Sequence, residues 1–257
     1  MVYFVGAGPG AKDLITVRGM EYLKQADVII YAGSLVNPEL LEYAKKECRI
    51  YNSAAMHLDE VLAVMEETEA KHQMTVRLHT GDPSIYGAIK EQMDALRERN
   101  ISYEVCPGVS SMSGAAASLQ VEYTLPEVSQ TIIISRAQGR TAVPEKEQLR
   151  GLAAHGATMI LFLSSGLVKK VQSELLAGGL DEKTPVAVVY KATWEDERIL
   201  RTTLKDLPAQ MEQEQIHKTA LIIVGDVLDC DYEKSKLYDP FFSTEYREGR
   251  DSKEAGR

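Results

Sequence analysis

The stretch VYFVGAGPGA (residues 2–11) decides the fold. Its apolar run, Val2–Val5, predicts a buried strand, and the glycine-rich turn leads into helical spacing over Leu14–Lys24. A strand, a tight turn and a helix in this order are typical of the start of a parallel α/β sheet. The rest of the chain shows whether that alternation continues.

The alternation continues along the first half of the chain. Apolar strand patterns take turns with helical patterns, and Asn37 is a good N-cap for the first of these helices. The predicted strands are Val28–Tyr31, Thr75–His79 and Tyr103–Cys106, and the predicted helices are Pro38–Lys46, Val61–Glu69 and Ile85–Arg99. We therefore expect a mostly parallel sheet that is covered on both faces.

The pattern weakens around Leu119–Ser129, where we place a domain boundary. A polar loop, residues 136–144, follows the first strand beyond it. The later predicted strands are Thr131–Ser135, Thr158–Leu163, Val186–Tyr190, Ile199–Thr203 and Ala220–Val224, and the helices are Glu145–His155, Leu167–Leu176 and Leu207–Gln215. The prediction is an α/β protein of two domains with mostly parallel or mixed sheets: residues 1–118, a linker 119–129, residues 130–231, and a tail 232–257.

Composition excludes several classes of protein. A length of 257 residues fits two domains, and 29 Lys and Arg against 38 Asp and Glu give a formal net charge of -9, which disfavours nucleic acid as a partner. No apolar run approaches the ~20 residues of a membrane span, and the start lacks the basic region of a signal peptide. The three cysteines have no metal-binding spacing. We expect a cytoplasmic protein without a metal site or membrane partner.

The glycine-rich turn has more than one interpretation. Gly6, Gly8 and Ala11 formally satisfy the dinucleotide-binding pattern, which would make the protein an oxidoreductase. Against this, Pro9 removes a backbone N–H donor, and the second strand ends at Tyr31 without an acidic residue to hold a ribose. A tight structural turn without a ligand is the remaining alternative.

Two further loops follow predicted parallel strands at the edge where such sheets bind ligands. The first, Thr80–Gly87, supplies a glycine for close backbone approach and the carboxylate of Asp82; the second, Pro107–Ser111, supplies two hydroxyl groups. The alternative is that Asp82 or Ser84 caps the helix that follows.

Together, Gly6–Gly10 followed by Asp13–Thr16, then Gly81–Pro83, then Pro107–Ser111 resemble the tetrapyrrole methylases, S-adenosylmethionine-dependent methyltransferases. The resemblance runs from Val2 to about Asp231. It implies the class III methyltransferase fold of two α/β domains, a homodimer, and a cofactor between the domains. Carried over by position, the implied cofactor contacts are Pro9, Thr80, Gly81, Asp82, Ile85, Ser110, Ser111, Leu163, Ala192 and Ala220.

Within that family, Tyr31–Val36 and Thr80–Gly87 resemble the methylases of cobalamin biosynthesis. The uroporphyrinogen-III methylases carry Gly-Gly-Asp-Pro-Phe where this chain has Thr80–Ser84. The implied substrate is a reduced tetrapyrrole with several carboxylates, for which arginine is a suitable partner. The candidate substrate contacts are His57, His79, Tyr86, Arg136 and Arg140.

Several alternatives stay open from the sequence. The residues single out no catalytic acid or base, and Trp194 is interpreted as a packing residue. A family member that methylates RNA or protein remains possible, although no Lys/Arg cluster supports it. A binding module without catalysis is the alternative from another class of protein.

Overall fold

A computed structural model describes residues 1–250. The chain divides into two compact units, of which the first contains Met1–Leu119 and Val189–Arg198. The second contains Gln120–Val188 and the described residues from Ile199 onward. The predicted domains differ in two respects. Residues 189–198 belong to the first unit, because Thr193 and Trp194 hydrogen-bond to its glycine-rich turn. The second unit also includes most of the predicted linker and the described part of the tail.

The first unit contains a sheet of five strands in the order β3-β2-β4-β1-β5, and its recorded strand pairs are all parallel. The strands are β1 Val2–Gly6, β2 Val28–Tyr31, β3 Arg49–Asn52, β4 Thr75–His79 and β5 Tyr103–Cys106. The sequence analysis missed β3, because this edge strand is polar and half exposed and shows no apolar run. The prediction of a parallel sheet is confirmed.

Helices cover both faces of this sheet. They are α1 Val17–Gln25, α2 Leu58–Ala70, α3 Lys90–Glu98 and α4 Ser111–Leu119, with a 3-10 helix at Pro38–Tyr43 that Asn37 caps. Leu23 of α1 packs with Val5 on one face, whereas Leu96 of α3 packs with Phe4 on the other. Helix α3 begins later than predicted, and α4 was not predicted because its alanines, serines and glycine carry little apolar periodicity.

The strand order creates a crevice between β1 and β4. The chain leaves β1 toward β2 in one direction and leaves β4 toward β5 in the other. Right-handed crossovers then place the following helices on opposite faces, so the turns after these two neighbouring strands diverge. Ligands bind at such a switch point in open parallel sheets, outside the carboxyl ends of the strands.

The second unit contains a mixed sheet in the order β6-β7-β10-β8-β9. Strand β7 pairs with β6 in parallel and with β10 in antiparallel orientation. The strands are β6 Ile132–Arg136, β7 Thr158–Phe162, β8 Pro185–Tyr190, β9 Arg198–Thr203 and β10 Ala220–Val224, and the helices are α5 Leu149–Ala153, α6 Val168–Ala177 and α7 Leu207–Gln213. The predicted pairing of β8 with β9 is confirmed.

Within residues 1–250, no helix is both long and apolar enough to cross a membrane. The cysteines Cys48, Cys106 and Cys230 are all free thiols. The described residues contain no group of three or more His, Cys, Asp or Glu side chains that could hold a metal ion.

Candidate active site

Three glycines interlock at the carboxyl edge of the first sheet. A Cβ on Gly6 would lie 2.5 Å from Gly108 Cα and 2.6 Å from the Gly81 carbonyl oxygen. A Cβ on Gly108 would lie 2.2 Å from the same oxygen. Only glycine therefore permits this backbone-to-backbone approach. We call residues 6–11, 80–87 and 107–111, which these contacts hold together, the turn cluster.

Backbone hydrogen bonds join two parts of the turn cluster directly. The Gly81 N–H donates to the Gly8 oxygen at 2.9 Å, and the Gly8 N–H donates to the Gly81 oxygen at 3.3 Å. Both glycines have positive φ, +81° at Gly8 and +61° at Gly81. The glycine pattern that resembled a dinucleotide-binding turn is thus used to pair with the turn after β4.

Asp82 ties the turn after β4 to the turn after β5. Its Oδ2 accepts the Gly108 N–H at 2.8 Å, and its Oδ1 accepts the N–H of Ser84 at 2.8 Å and the Ser84 hydroxyl. Burial raises the pKa of this carboxyl, but the hydrogen bonds from Ser84 and Gly108 outweigh burial and lower the pKa below its usual value. The alternative that Asp82 or Ser84 caps the next helix is wrong, because α3 begins only at Lys90.

The serines of the last turn open helix α4. The Ser110 hydroxyl accepts the Met112 N–H at 3.4 Å, and the Ser110 carbonyl accepts the N–H groups of Ser113 and Gly114. A Cβ on Gly81 would lie 3.5 Å from the Ser111 nitrogen. The positive end of α4 therefore lies beside Gly81. The turn cluster thus brings together the candidates Pro9, Thr80, Gly81, Asp82, Ile85, Ser110 and Ser111.

Two buried polar atoms in this region have no hydrogen-bond partner within the described chain: His79 Nε2 and Thr80 Oγ1. Such atoms are rare in folded proteins and cluster where ligands or water bind. Burial, with a smaller effect from the charge of Arg77, lowers the pKa of His79 to about 3. His79 is therefore a neutral imidazole at physiological pH and offers a hydrogen bond rather than a positive charge.

Arg77 is a buried cation behind His79. Its guanidinium donates to Gln92 Oε1 and to the Ile30 oxygen, both at 3.1 Å. Burial lowers the pKa of Arg77 to about 10, so the group remains charged at neutral pH. Its charge adds a smaller effect to that of burial in lowering the pKa of His79.

Ala192 also belongs to the first unit and is almost fully buried. Its carbonyl oxygen lies 2.8 Å from the Cβ that a side chain at Gly10 would carry. Trp194, two residues later, packs on Gly10 and donates from Nε1 to the Pro9 oxygen at 3.1 Å. The predicted packing role of Trp194 is therefore confirmed.

Two remaining cofactor candidates lie together in the second unit. Leu163 directly follows β7, is 66% exposed, and has a φ of +52°, which is unusual for leucine. Strands β7 and β10 are antiparallel neighbours, so the end of β7 before Leu163 and the start of β10 at Ala220 lie at the same edge of the sheet. Strained backbone of this kind clusters at active sites and ligand-binding sites.

The substrate candidates occupy different surroundings. His57 is exposed and caps α2, where its N–H donates to Glu60 Oε2 at 2.7 Å. Tyr86 is 45% exposed and has a positive φ of 55°. In the second unit Arg140 is exposed, whereas Arg136 donates to the oxygens of Thr141 and Ala142 in its own loop.

Sequence reasoning missed the pairing of Thr193 and Trp194 with the glycine-rich turn. Ala11 and Thr193 are 182 positions apart, and no local pattern links them. The one available signal was the run Thr193–Glu197 itself, which interrupts the apolar strand pattern with an aromatic residue and acids.

The comparisons with known proteins show the family to which the chain belongs. Residues 1–208 match the family described as Tetrapyrrole (Corrin/Porphyrin) Methylases. The chain is 58% identical to a cobalt-precorrin-4 C(11)-methyltransferase of Methanocaldococcus jannaschii, covering 96% of this chain and 95% of the relative. The chain therefore belongs to the tetrapyrrole methylases, and it is a methyltransferase.

Solved structures give the same class. The X-ray structure of a cobalt precorrin-4 methyltransferase, a cobalamin biosynthetic enzyme, has a TM-score of 0.87 at 49% identity and covers 89% of this chain and 96% of its own. A uroporphyrin-III C-methyltransferase from Thermus thermophilus, complexed with S-adenosyl homocysteine, has a TM-score of 0.75 at 26% identity and covers 88% and 98%. The predicted family and fold class are confirmed.

Proposed function

We propose that this chain transfers a methyl group from S-adenosylmethionine to C-11 of cobalt-precorrin-4 or precorrin-4 in cobalamin biosynthesis. The observation that carries the proposal is the turn cluster, whose interlocked glycines stand at the switch point of a tetrapyrrole-methylase sheet. The similarity to a cobalt-precorrin-4 C(11)-methyltransferase over nearly the whole chain supports this substrate. Tyr31–Val36 and Thr80–Gly87 carry the same resemblance in the sequence.

The residues of the turn cluster suit the proposed cofactor. Bare glycine backbone, the unpartnered Thr80 hydroxyl and the positive end of α4 offer space, a hydrogen bond and a favourable field to a carboxylate-bearing ligand. When bound, S-adenosylmethionine supplies a methyl group on a sulfonium, with its leaving group built in. The proposed contacts are Pro9, Thr80, Gly81, Ile85, Ser110 and Ser111, with Asp82 holding the turns together and Leu163, Ala192 and Ala220 added from the family resemblance.

The chain's own contribution is alignment and exclusion of water. Holding two reactants in register contributes about 7–11 kcal/mol to a bimolecular reaction. The turn cluster suits that task, because its shape is fixed by backbone contacts and by the Asp82 hydrogen bonds rather than by flexible side chains. We assign no catalytic acid or base, since the reacting carbon of a reduced tetrapyrrole is already nucleophilic.

The substrate carboxylates need positive or donor groups on a protein of net charge -9. We propose Arg136 and Arg140 as ionic partners and His57 and Tyr86 as polar contacts. His79 is a hydrogen-bonding group, because its pKa of about 3 leaves it uncharged.

Calorimetric titration tests the cofactor. S-adenosylhomocysteine should bind with micromolar affinity, and NAD should not bind. Binding of NAD without binding of S-adenosylhomocysteine would instead indicate that the glycine-rich turn is a dinucleotide-binding turn. A thermal-shift series with both ligands gives an independent reading, since a ligand that binds only the folded state raises its stability.

Turnover with a panel of tetrapyrroles tests the substrate. The panel contains precorrin-4, cobalt-precorrin-4 and uroporphyrinogen III, with product mass as the readout. Methylation of uroporphyrinogen III alone would favour the second candidate, which the similarity to the Thermus thermophilus structure supports. Methyl transfer to RNA or protein, with none to the panel, would contradict both.

We further propose that the enzyme is a cytoplasmic homodimer. Large apolar side chains are exposed on the described chain, among them Leu237, Tyr238 and Tyr246, and a second subunit would cover such surface. Light scattering after gel filtration measures the mass in solution against 28.5 kDa for one chain. A mass of one chain at micromolar concentration would contradict the homodimer and leave the activity untouched.

A further inference from the structure

The segment 190–198 lies in the first unit although nearly 70 residues of the second unit precede it. Two of its residues, Thr193 and Trp194, form hydrogen bonds with the residues on either side of Gly10. Trp194 Nε1 donates to the Pro9 oxygen at 3.1 Å, and the Ala11 N–H donates to Thr193 Oγ1 at 3.0 Å. The turn is thus fixed by side chains that lie more than 180 positions later in the chain.

Gly10 has no side chain, which leaves room for the indole ring of Trp194. A Cβ at this position would lie 2.1 Å from Trp194 Cδ1 and 2.5 Å from its Nε1. On the other side of the turn, Asn37 Nδ2 donates to the Gly10 oxygen at 2.9 Å. The turn is therefore held by three long-range hydrogen bonds and by the close contact between Gly10 and the Trp194 ring.

Glu197 holds the segment in place. Its Oε2 accepts the Thr193 N–H at 2.5 Å and the Ser118 hydroxyl of α4 at 2.6 Å. Thr193 has a φ of +69°, which a β-branched residue adopts only when its surroundings enforce it. The strained conformation lets Thr193 present its hydroxyl to Ala11 while its N–H faces Glu197.

We infer that Thr193, Trp194 and Glu197 are positioning residues for the proposed cofactor site. They fix the Pro9–Ala11 turn against Ala192, whose carbonyl oxygen lies beside Gly10, so two proposed cofactor contacts that are far apart in sequence are held next to each other. The inference rests on the proposed function. It assigns to the segment a role in ligand affinity that packing alone would not give it.

The test compares affinity with stability in paired variants. Trp194→Phe keeps a ring against Gly10 and removes the Nε1 donor. Thr193→Val removes the hydroxyl, whereas Thr193→Ser keeps it and serves as the rescue. The exposed neighbour in Glu195→Gln is the matched control for Glu197→Gln.

Calorimetry with S-adenosylhomocysteine should show about 2- to 13-fold weaker binding for Trp194→Phe and for Thr193→Val, the range expected for one hydrogen bond. Thr193→Ser and Glu195→Gln should bind like wild type, and Glu197→Gln should lie between. The kcat at saturating cofactor should stay near wild type while the KM for cofactor rises. Trp194 is the sole tryptophan, so its fluorescence in wild type should change on titration.

Lower thermal stability with unchanged affinity and KM in Trp194→Phe and Thr193→Val would overturn the inference and leave the proposed function standing. Absence of S-adenosylhomocysteine binding in wild type would instead overturn the proposed function, and the affinity role with it. Hydrogen exchange of the Ala11 amide tests, without any ligand, whether Thr193 holds the turn. It should be faster in Thr193→Val than in Thr193→Ser, and equal rates would show that Thr193 does not hold the turn.

Discussion

The turn cluster of the first unit and the polar loop of the second unit, residues 136–144, are held in different ways. In the turn cluster, glycine backbones meet within a few ångströms and Asp82 accepts hydrogen bonds from two turns. The polar loop is mostly exposed, and its long-range contacts include Lys170 Nζ to the Gln138 oxygen at 2.9 Å. Arg136 bonds the loop's own carbonyls, and Arg140 faces solvent.

This difference fits the two ligands that we propose. A cofactor whose methyl group must be aimed at one carbon requires a rigid seat, since small displacements cost large factors in rate. A large flexible polyanion needs charge that adapts to it, which exposed arginines supply at modest affinity. The predictions below test the rigidity of the turn cluster and the adaptability of the polar loop.

Gly108→Ala should have the largest effect. Its Cβ would lie 2.2 Å from the Gly81 oxygen and 2.7 Å from Gly6 Cα, and backbone atoms cannot move aside cheaply. We expect a loss of about 3 kcal/mol in the free energy of unfolding and no measurable cofactor binding. Urea unfolding and calorimetry measure both quantities.

The control is Gly139→Ala in the polar loop. Its Cβ would meet only the Leu167 Cδ1 at 3.2 Å, the flexible end of a side chain. We expect a change of less than about 0.5 kcal/mol there. Equal destabilisation by both substitutions would show that the turn cluster is no more rigid than the polar loop.

Asp82→Ala should have the next largest effect. Loss of a hydrogen bond to a charged acceptor costs about 1.5–3 kcal/mol, and here it separates the turns after β4 and β5. We expect cofactor affinity to fall about 10- to 150-fold, measured by calorimetry. Asp59→Ala, an exposed acid in the first turn of α2, should leave affinity near wild type.

If Asp82→Ala binds cofactor like wild type, the glycine contacts alone hold the turns. Asp82→Asn sharpens the result, because an amide oxygen still accepts the Gly108 N–H without the charge. It should lie between wild type and alanine.

Gly108 and Asp82 also show how much of the site could be predicted from the sequence. The strands β1, β2, β4 and β5 were predicted, and the family motifs brought the cofactor candidates of the first half into one cluster. Motifs could not show that Asp82 would accept the Gly108 N–H, because that contact depends on the registers of β4 and β5 on β1. The role of Asp82 as a link between turns is visible only in the fold.

Other features were not predictable for stated physical reasons. Strand β3 is a polar edge strand, and α4 is built of small residues, so neither has the apolar period of a buried element. The assignment of 189–198 to the first unit depends on two hydrogen bonds with the glycine-rich turn, in which Thr193 Oγ1 accepts from Ala11 and Trp194 Nε1 donates to Pro9. Patterns within a window of neighbouring residues carry no information on such contacts.

His79→Gln should alter the pH dependence of stability. The folded pKa is about 3, below the unfolded value of about 6.5, so the folded protein binds fewer protons than the unfolded chain between these values. Wild-type stability is therefore complete above about pH 6.5 and falls as the pH decreases toward 3. This one group contributes a slope of up to about 1.4 kcal/mol per pH unit.

Urea unfolding of wild type and His79→Gln at pH 5, 6, 7 and 8 measures that slope, because other titrating groups cancel in the difference. His155→Gln, on an exposed residue, is the control and should retain the wild-type slope. A difference between wild type and His79→Gln that is constant with pH would show that His79 is not held as a neutral buried group.

The smallest effect is expected at the polar loop. Arg136→Ala/Arg140→Ala should raise the KM for the tetrapyrrole modestly, since partly exposed ion pairs contribute about 0–1 kcal/mol each. Cofactor binding should not change. Of the single variants, Arg140→Ala should have the larger effect, because Arg136 already donates to the Thr141 and Ala142 oxygens, whereas Arg140 is exposed.

A salt series decides whether these arginines act through charge. Rising ionic strength screens the attraction between exposed charges, so it should raise the KM of wild type for substrate. The KM of the double variant should rise less steeply, because this variant has less attraction to lose. The measurement uses saturating cofactor, so that only the substrate step responds.

Lys146→Ala/Arg150→Ala, which removes the same charge from exposed positions nearby, is the matched control for net charge and should keep the wild-type slope. Identical slopes in wild type and in Arg136→Ala/Arg140→Ala would show that the substrate carboxylates bind away from these two arginines. Equal flattening in both double variants would mean that the overall field of the protein, rather than the two arginines, attracts the substrate.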